Sequence, residues 1–324
     1  MKKLSVLLVF MLTASVAMYA SPAKCLLHHN GSVTLYDSED INSALTAAVD
    51  GDTLYLSEGA FSGFTITKKI TVRGSGQMTR IGGNINVEIP NAPTLTSTLL
   101  EGVNSSADIL INSEVTGLQI KQSRFRDFVA FATINEAVID KSFIFDEFWL
   151  NECTQGITCT NCKILTLMVG GRNDHGGAVL PTSNQSFINC NICSVFTYGA
   201  DCYLTLVNCI INGTHEYYGT LYYIKESFIN NCLFYKKNID AATSSEYSCY
   251  VYDGNVVDGG TLECLINETL AEKGYLGQDG TIVGCYGGPS PFTLDLPIPK
   301  VTATNIQIDN DTKQLSVTLN VTAK

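Results

Sequence analysis

The side chains best suited to chemistry lie in one short stretch, Gly170-Gly171-Arg172-Asn173-Asp174-His175-Gly176-Gly177. An arginine, a carboxylate and an imidazole within four positions, on a glycine-rich loop carried by a rigid scaffold, can bind or cleave a sugar acid. Arg172, Asp174 and His175 are therefore the candidate catalytic residues. Asp146 and Glu147 upstream and Asp201 downstream are the carboxylates that could join them. The other three histidines suggest less: His215 sits in Gly213-Thr214-His215-Glu216-Tyr217-Tyr218, which reads as a solvated turn, and His28 and His29 read the same way. Cys159-x-x-Cys162 and Cys190-x-x-Cys193 have zinc spacing on paper, but zinc needs four convergent ligands.

The elements that must position these groups are set by a repeat. Asn161-Cys162, Asn189-Cys190, Asn208-Cys209 and Asn231-Cys232 recur with apolar neighbours, and Ser123 and Ser142 occupy the cysteine position in two earlier copies. From Ser123 to Cys232 the intervals are 19, 20, 28, 19 and 23 residues. Such a period means stacked coils, with the 28-residue interval holding the Arg172 loop. Strand alternation puts each cysteine and the residue two beyond it (Ile164, Ile192, Ile211, Phe234) on the core face. The asparagines then lie on the other face or at a bend, where Asn tolerates unusual backbone angles. Stacked cysteines would be about 4.8 Å apart, wider than the ~3.8 Å that a disulfide's Cβ atoms prefer. The ladder is therefore read as thiols packed as small hydrophobes, the outer cysteines of the zinc-like pair diverge, and no metal is expected. Cys25, Cys249, Cys264 and Cys285 fall outside the ladder and stay uncommitted.

Lys2 and Lys3, the apolar run from Leu4 through Ala17 and the small residues Ala20, Ser21 and Ala23 read as an export signal cut near Ala20 or Ala23. The apolar run is short for a membrane span, and Lys24 stands where a lipid-anchored Cys25 would need a small residue. The expected location is the periplasm, the cell surface or the medium. Losing Lys2 and Lys3 takes the formal charge from −11 to −13, so nucleic acid is an unsuitable partner. With 45% hydrophobic and only 16% charged residues, the chain should be well buried beneath polar, uncharged outer faces.

Residues 37–51 should form a helix N-capped by Ser38, with Ile41, Ala44, Leu45, Ala48 and Val49 on one face and Gly51 as the stop. Gly51 to Gly59, Phe64-Thr65-Ile66 and Ile70 to Gly76 should make one three-sided turn, and residues 77–110 read as less regular. The alanine-rich helix, Gly51-Asp52-Thr53-Leu54-Tyr55-Leu56 and Ile70-Thr71-Val72-Arg73-Gly74-Ser75-Gly76 resemble the opening of right-handed parallel β-helix proteins of the pectin-lyase-like class. That resemblance implies a helix plugging the open N-terminal end. Gly277 to Gly288 resembles the closing segment of exported bacterial β-helix proteins, Pro289 to Pro299 reads as a linker, and residues 303–308 and 315–321 as a small hairpin that covers the last coil or serves attachment.

The expected fold is all-β: an export signal over residues 1–23, a right-handed parallel β-helix over 24–288, and a linker with a C-terminal β-element over 289–324. The leading functional expectation is a noncatalytic, adhesin-like binder of a carbohydrate or another surface macromolecule. Gly176-Gly177-Ala178-Val179 with Phe187-Ile188-Asn189 resembles the repeats of polymorphic outer-membrane adhesins, and the tyrosines from Tyr217 to Tyr252 could stack on sugar rings or between coils. The alternative is a polysaccharide lyase or hydrolase acting on uronates through the Arg172 loop. In β-helix lyases a basic residue removes a proton beside a carboxylate often neutralised by calcium, so Ca2+ enters only with that reading. The chain lacks the paired aspartates and Gly-His-Gly of polygalacturonase-like hydrolases and the Asp and Arg signatures of pectate-lyase-like enzymes.

Overall fold

The computed structural model describes residues 23–296 apart from 91–97, 152, 171–184, 198–203, 212–227, 236–249 and 253–266, and the strands at 300–309 and 314–322. Short strands stack in parallel into a β-solenoid. The first sheet has eleven strands; nine are parallel rungs, from Thr53–Leu56 through Thr71–Arg73, Leu99–Glu101, Gln119–Lys121, Val138–Asp140, Thr158–Thr160, Gln185–Ile188 and Leu204–Val207 to Phe228–Asn230. A second sheet of fourteen strands forms the next wall, and Val115–Thr116, Ile134–Asn135 and Thr154–Gln155 form a short third. In the early coils the second wall is broken at a bend, as between Arg124–Phe125 and Phe128–Ala130. Later it becomes continuous, as in Lys163–Val169.

The repeated dipeptide makes the corner between the first and second walls. Gln122, Lys141, Asn161, Asn189, Asn208 and Asn231 all take left-handed φ, between 46° and 55°. The bend is thus the answer to the open question of where the asparagines lie. Asn recurs because its short polar side chain tolerates this conformation better than most. The next residue points inward and closes the corner: Ser123 Oγ and Ser142 Oγ donate to the carbonyls of Lys121 and Asp140 at 2.8 and 3.0 Å. Cys162, Cys190, Cys209 and Cys232 place Sγ 3.3 to 3.4 Å from the carbonyl two residues back in the same way. Serine and cysteine interchange here because the site requires a small donor. All six are buried, as are Ile164, Ile192 and Ile211. Burial pushes the Cys159 and Cys190 thiols well up, and Cys25 and Cys285 are also buried thiols, raised by burial to about 11 and about 12.

Three expectations need correction. Thr71–Arg73 pairs with Thr53–Leu56 as the next rung, so a coil closes in 18 residues and the run at Ile70 is not a third side. Coil strands stand on both sides of the undescribed residues 91–97, at Thr79–Ile81, Ile85–Val87, Leu99–Glu101, Asn104–Ser105 and Ile109–Ile111, so the described part of 77–110 is regular. The N-terminal helix is shorter than 37–51: a 3-10 turn at Ser38–Asp40 and an α-helix at Ile41–Ala47, with no side-chain N-cap bond and Val49 exposed. It ends early because Asp52 Oδ2 takes the Val49 N–H at 2.8 Å and Lys68 Nζ binds the final carbonyls of Leu45, Thr46 and Ala48.

Ahead of the helix, Lys24–His29 and Ser32–Asp37 form an antiparallel hairpin whose inner strand pairs with Thr53–Leu56. Its turn is Asn30-Gly31, both left-handed at φ 47° and 79°, the sequence most suited to a two-residue hairpin loop. His29 Nδ1 lies 2.7 Å from Asp52 Oδ1 and ties hairpin to coil. Burial would raise the Asp52 carboxyl, but the Val49 N–H and the His29 imidazole hold it below its ordinary value. A depressed carboxyl stabilises the fold above its unfolded pKa of about 4 and stops doing so as the pH falls through the folded value. Asp52→Asn should therefore lower the unfolding free energy in urea at pH 7 by roughly 1 kcal/mol, and the gap should close below about pH 4. A gap constant from pH 7 to 3 would show that the charge contributes nothing.

Candidate functional site

Arg172, Asp174 and His175 lie outside the described residues, as do Asp201, His215 and Glu216. Asp146 and Glu147 are described, and they serve an ionic cluster at the bend of the second wall. Arg126 holds Asp108 through two bonds of 2.8 and 2.9 Å and lies 3.5 Å from Asp127. Asp127 Oδ1 accepts the Glu147 N–H at 3.0 Å, and Glu147 Oε2 accepts from Trp149 Nε1 at 2.8 Å. Burial, with Asp108 and Asp146 nearby, raises the Asp127 carboxyl, and the bond to Asp108 raises Arg126. Among the described residues no group of three or more His, Cys, Asp or Glu side chains could hold a metal ion.

The outer face of the first sheet carries nine parallel rungs in register. Strand alternation sends Leu54, Val72, Leu100, Ile120, Ile139, Cys159, Phe187, Leu206 and Ile229 into the core and two columns outward. One column pairs Thr53, Thr71, Leu99, Gln119, Val138, Thr158, Ser186, Thr205 and Phe228 in register. The other pairs Tyr55, Arg73, Glu101, Lys121, Asp140, Thr160, Ile188, Val207 and Asn230. Every member of both columns keeps some exposure. Charge alternates along Arg73, Glu101, Lys121 and Asp140, and Arg73 Nε meets Glu101 Oε2 at 2.5 Å. Half-burial raises the Asp140 carboxyl, offset in part by Lys141 and Lys121.

The corner of the solenoid is covered. After the helix Asn267–Glu272, residues 277–296 run back along the left-handed bends as a strap. Leu270 and Val283 pack on Ile210 and Leu233. Gln278 N–H donates to Asn208 Oδ1 at 3.0 Å, and Cys285 N–H to Asn191 Oδ1 at 2.9 Å. Asn161 Nδ2 donates to the carbonyls of Cys285 and Gly287 at 3.1 and 2.7 Å. Lys163 Nζ donates to Tyr286 Oη at 2.6 Å and stands 4.8 Å from the ring centres of Tyr286 and Phe292, a cation held by two aromatic faces. Gln122 Nε2 reaches the Asp295 carbonyl at 2.9 Å, which places the end of the strap at the early coils. Gly284 sits so close that a Cβ there would fall 2.3 Å from Asn191 Oδ1, and its φ is +88°. Asn161 and Asn208 therefore do two jobs, the backbone turn and the seat for the strap.

Together these features define the class: a parallel β-solenoid with a hairpin-and-helix start, one open sheet face and a strapped corner. No protein-family model, no curated protein and no solved structure matches the chain. No helix among the described residues is long and apolar enough to cross a membrane.

Proposed function

We propose that this chain is an exported, noncatalytic binding protein of the pectin-lyase-like, right-handed β-helix kind, which holds a carbohydrate chain along the outer face of its first sheet. The observation that carries this reading is the nine-rung double column of residues. At about 4.8 Å per rung it runs for roughly 38 Å, long enough for several sugar units. Threonine and serine hydroxyls, with acids and bases in alternation, offer donors and acceptors to sugar hydroxyls without a net local charge. The acidic whole keeps phosphate polymers away, and the positively charged, apolar N-terminus supports export.

The test uses residues 24–324 against a broad panel of neutral and uronic-acid polysaccharides. Thr158→Arg, at the centre of the face, should weaken binding at least tenfold while leaving the unfolding midpoint unchanged. No binding to any polysaccharide would overturn the reading. Release of unsaturated, ultraviolet-absorbing products would replace it with a lyase acting through the Arg172, Asp174 and His175 loop.

A further inference from the structure

The strap ends in an apolar depression at the opposite end of the molecule from where it starts. A groove of about 610 Å³ lies against the N-terminal hairpin, with Leu26, Leu35, Tyr55, Arg73 and Glu101 on its walls, and Leu296 lines it too. Beside it, Ser32–Asp37 is the outermost strand of the eleven-stranded sheet. Val33 and Leu35 on this strand are 56% and 60% exposed. An edge strand with exposed apolar side chains is a template for further β-structure unless something covers it.

The chain itself brings a candidate cover to this place. Lys300–Asp309 and Gln314–Thr322 pair antiparallel, and their register puts Val301 opposite Val321, Ala303 opposite Leu319, Ile306 opposite Val317 and Ile308 opposite Leu315. A one-residue bulge between Ala303 and Asn305 keeps these eight apolar residues at alternate register positions along both strands. The register positions between them hold Lys300, Thr302, Asn305, Gln307, Asp309 and their polar partners. A two-stranded ribbon of this kind is marginal alone and needs an apolar surface to lie on. Four residue steps separate Leu296 from Lys300, a reach of at most about 14 Å, so the ribbon begins next to the groove and far from the last coil.

We propose that the apolar face of the 300–322 ribbon seats, within the same chain, on the groove and edge strand of the N-terminal hairpin. The ribbon closes the first coil, and the strap delivers it there. The seat takes up Tyr55, Arg73 and Glu101 of the first three rungs; it stands without the carbohydrate reading, and it leaves that reading the six rungs from Lys121 to Asn230.

The experiment places the photo-crosslinker benzoylphenylalanine at position 35 of the chain 24–324, an exposed site that should tolerate it, and maps the products by mass spectrometry. Crosslinks to residues 300–322 within one monomer are expected. Crosslinks joining two copies, or none to 300–322, would overturn the proposal. Independently, the double variant Leu315→Asp, Val317→Asp should speed amide exchange at residues 32–37 roughly tenfold while leaving 284–296 unchanged. Unchanged exchange at 32–37 would overturn the proposal as well.

Discussion

Asn161→Ala should free the strap from the solenoid and cost about 2–5 kcal/mol, the sum of two separable losses. Asn161 has a left-handed backbone, φ 51°, where alanine is disfavoured by roughly 1–2 kcal/mol. Its amide also donates to two buried strap carbonyls. The Cys285 carbonyl keeps the Phe292 N–H at 2.8 Å, whereas for Gly287 the Asn161 amide is the donor described. An unsatisfied buried carbonyl costs about 1–3 kcal/mol. Asn161→Gly keeps the bend and removes only the donors, so it should cost less than the alanine variant while exposing the strap equally. Amide exchange over residues 284–296 and urea midpoints measure the two effects apart. If both variants protect 284–296 as well as the wild type does, the bend amides do not hold the strap.

Phe148→Ala should lower stability by about 3–5 kcal/mol, a large fraction of the stability of an ordinary domain. Phe148 is fully buried and meets Phe128 edge-on at 5.1 Å in the preceding coil and Phe187 at 6.1 Å from the facing wall. Removing the ring costs about 3–5 kcal/mol in all, a loss that includes two edge-to-face contacts worth about 0.5–1.5 kcal/mol each. Phe148→Leu fills most of the space and should cost well under half as much. Because each coil touches only its neighbours, the loss should appear first as faster exchange between residues 120 and 195, with the N-terminal hairpin still protected. A midpoint for Phe148→Ala within about 1 kcal/mol of wild type would mean that the ring is not part of a close-packed core.

The coils were legible in the sequence because a corner that recurs must solve one steric problem each time. A left-handed residue followed by a small donor leaves the Asn-Cys and Ser marks. The N-terminal hairpin carries a mark as well, Asn30-Gly31 between its two strands, although the expected fold holds no hairpin there. The early helix end was not, since it depends on Asp52 and Lys68 reaching back from the following coil. Least legible was the strap. Its partners lie 70 to 173 residues away and bind it through side-chain amides, which impose no period on either segment. The loop with Arg172, Asp174 and His175 lies outside the described residues, while Asp146 and Glu147, named as its possible helpers, belong to the Arg126 cluster.

A strip of chain spanning many rungs changes how such a spiral comes apart. Built from nearest neighbours alone, it could unravel rung by rung from either end. Its seam is sewn by contacts that require distant rungs to be in place first, so the seam forms last during folding. Unravelling from an end then has to release that seam as well as the rung beneath it.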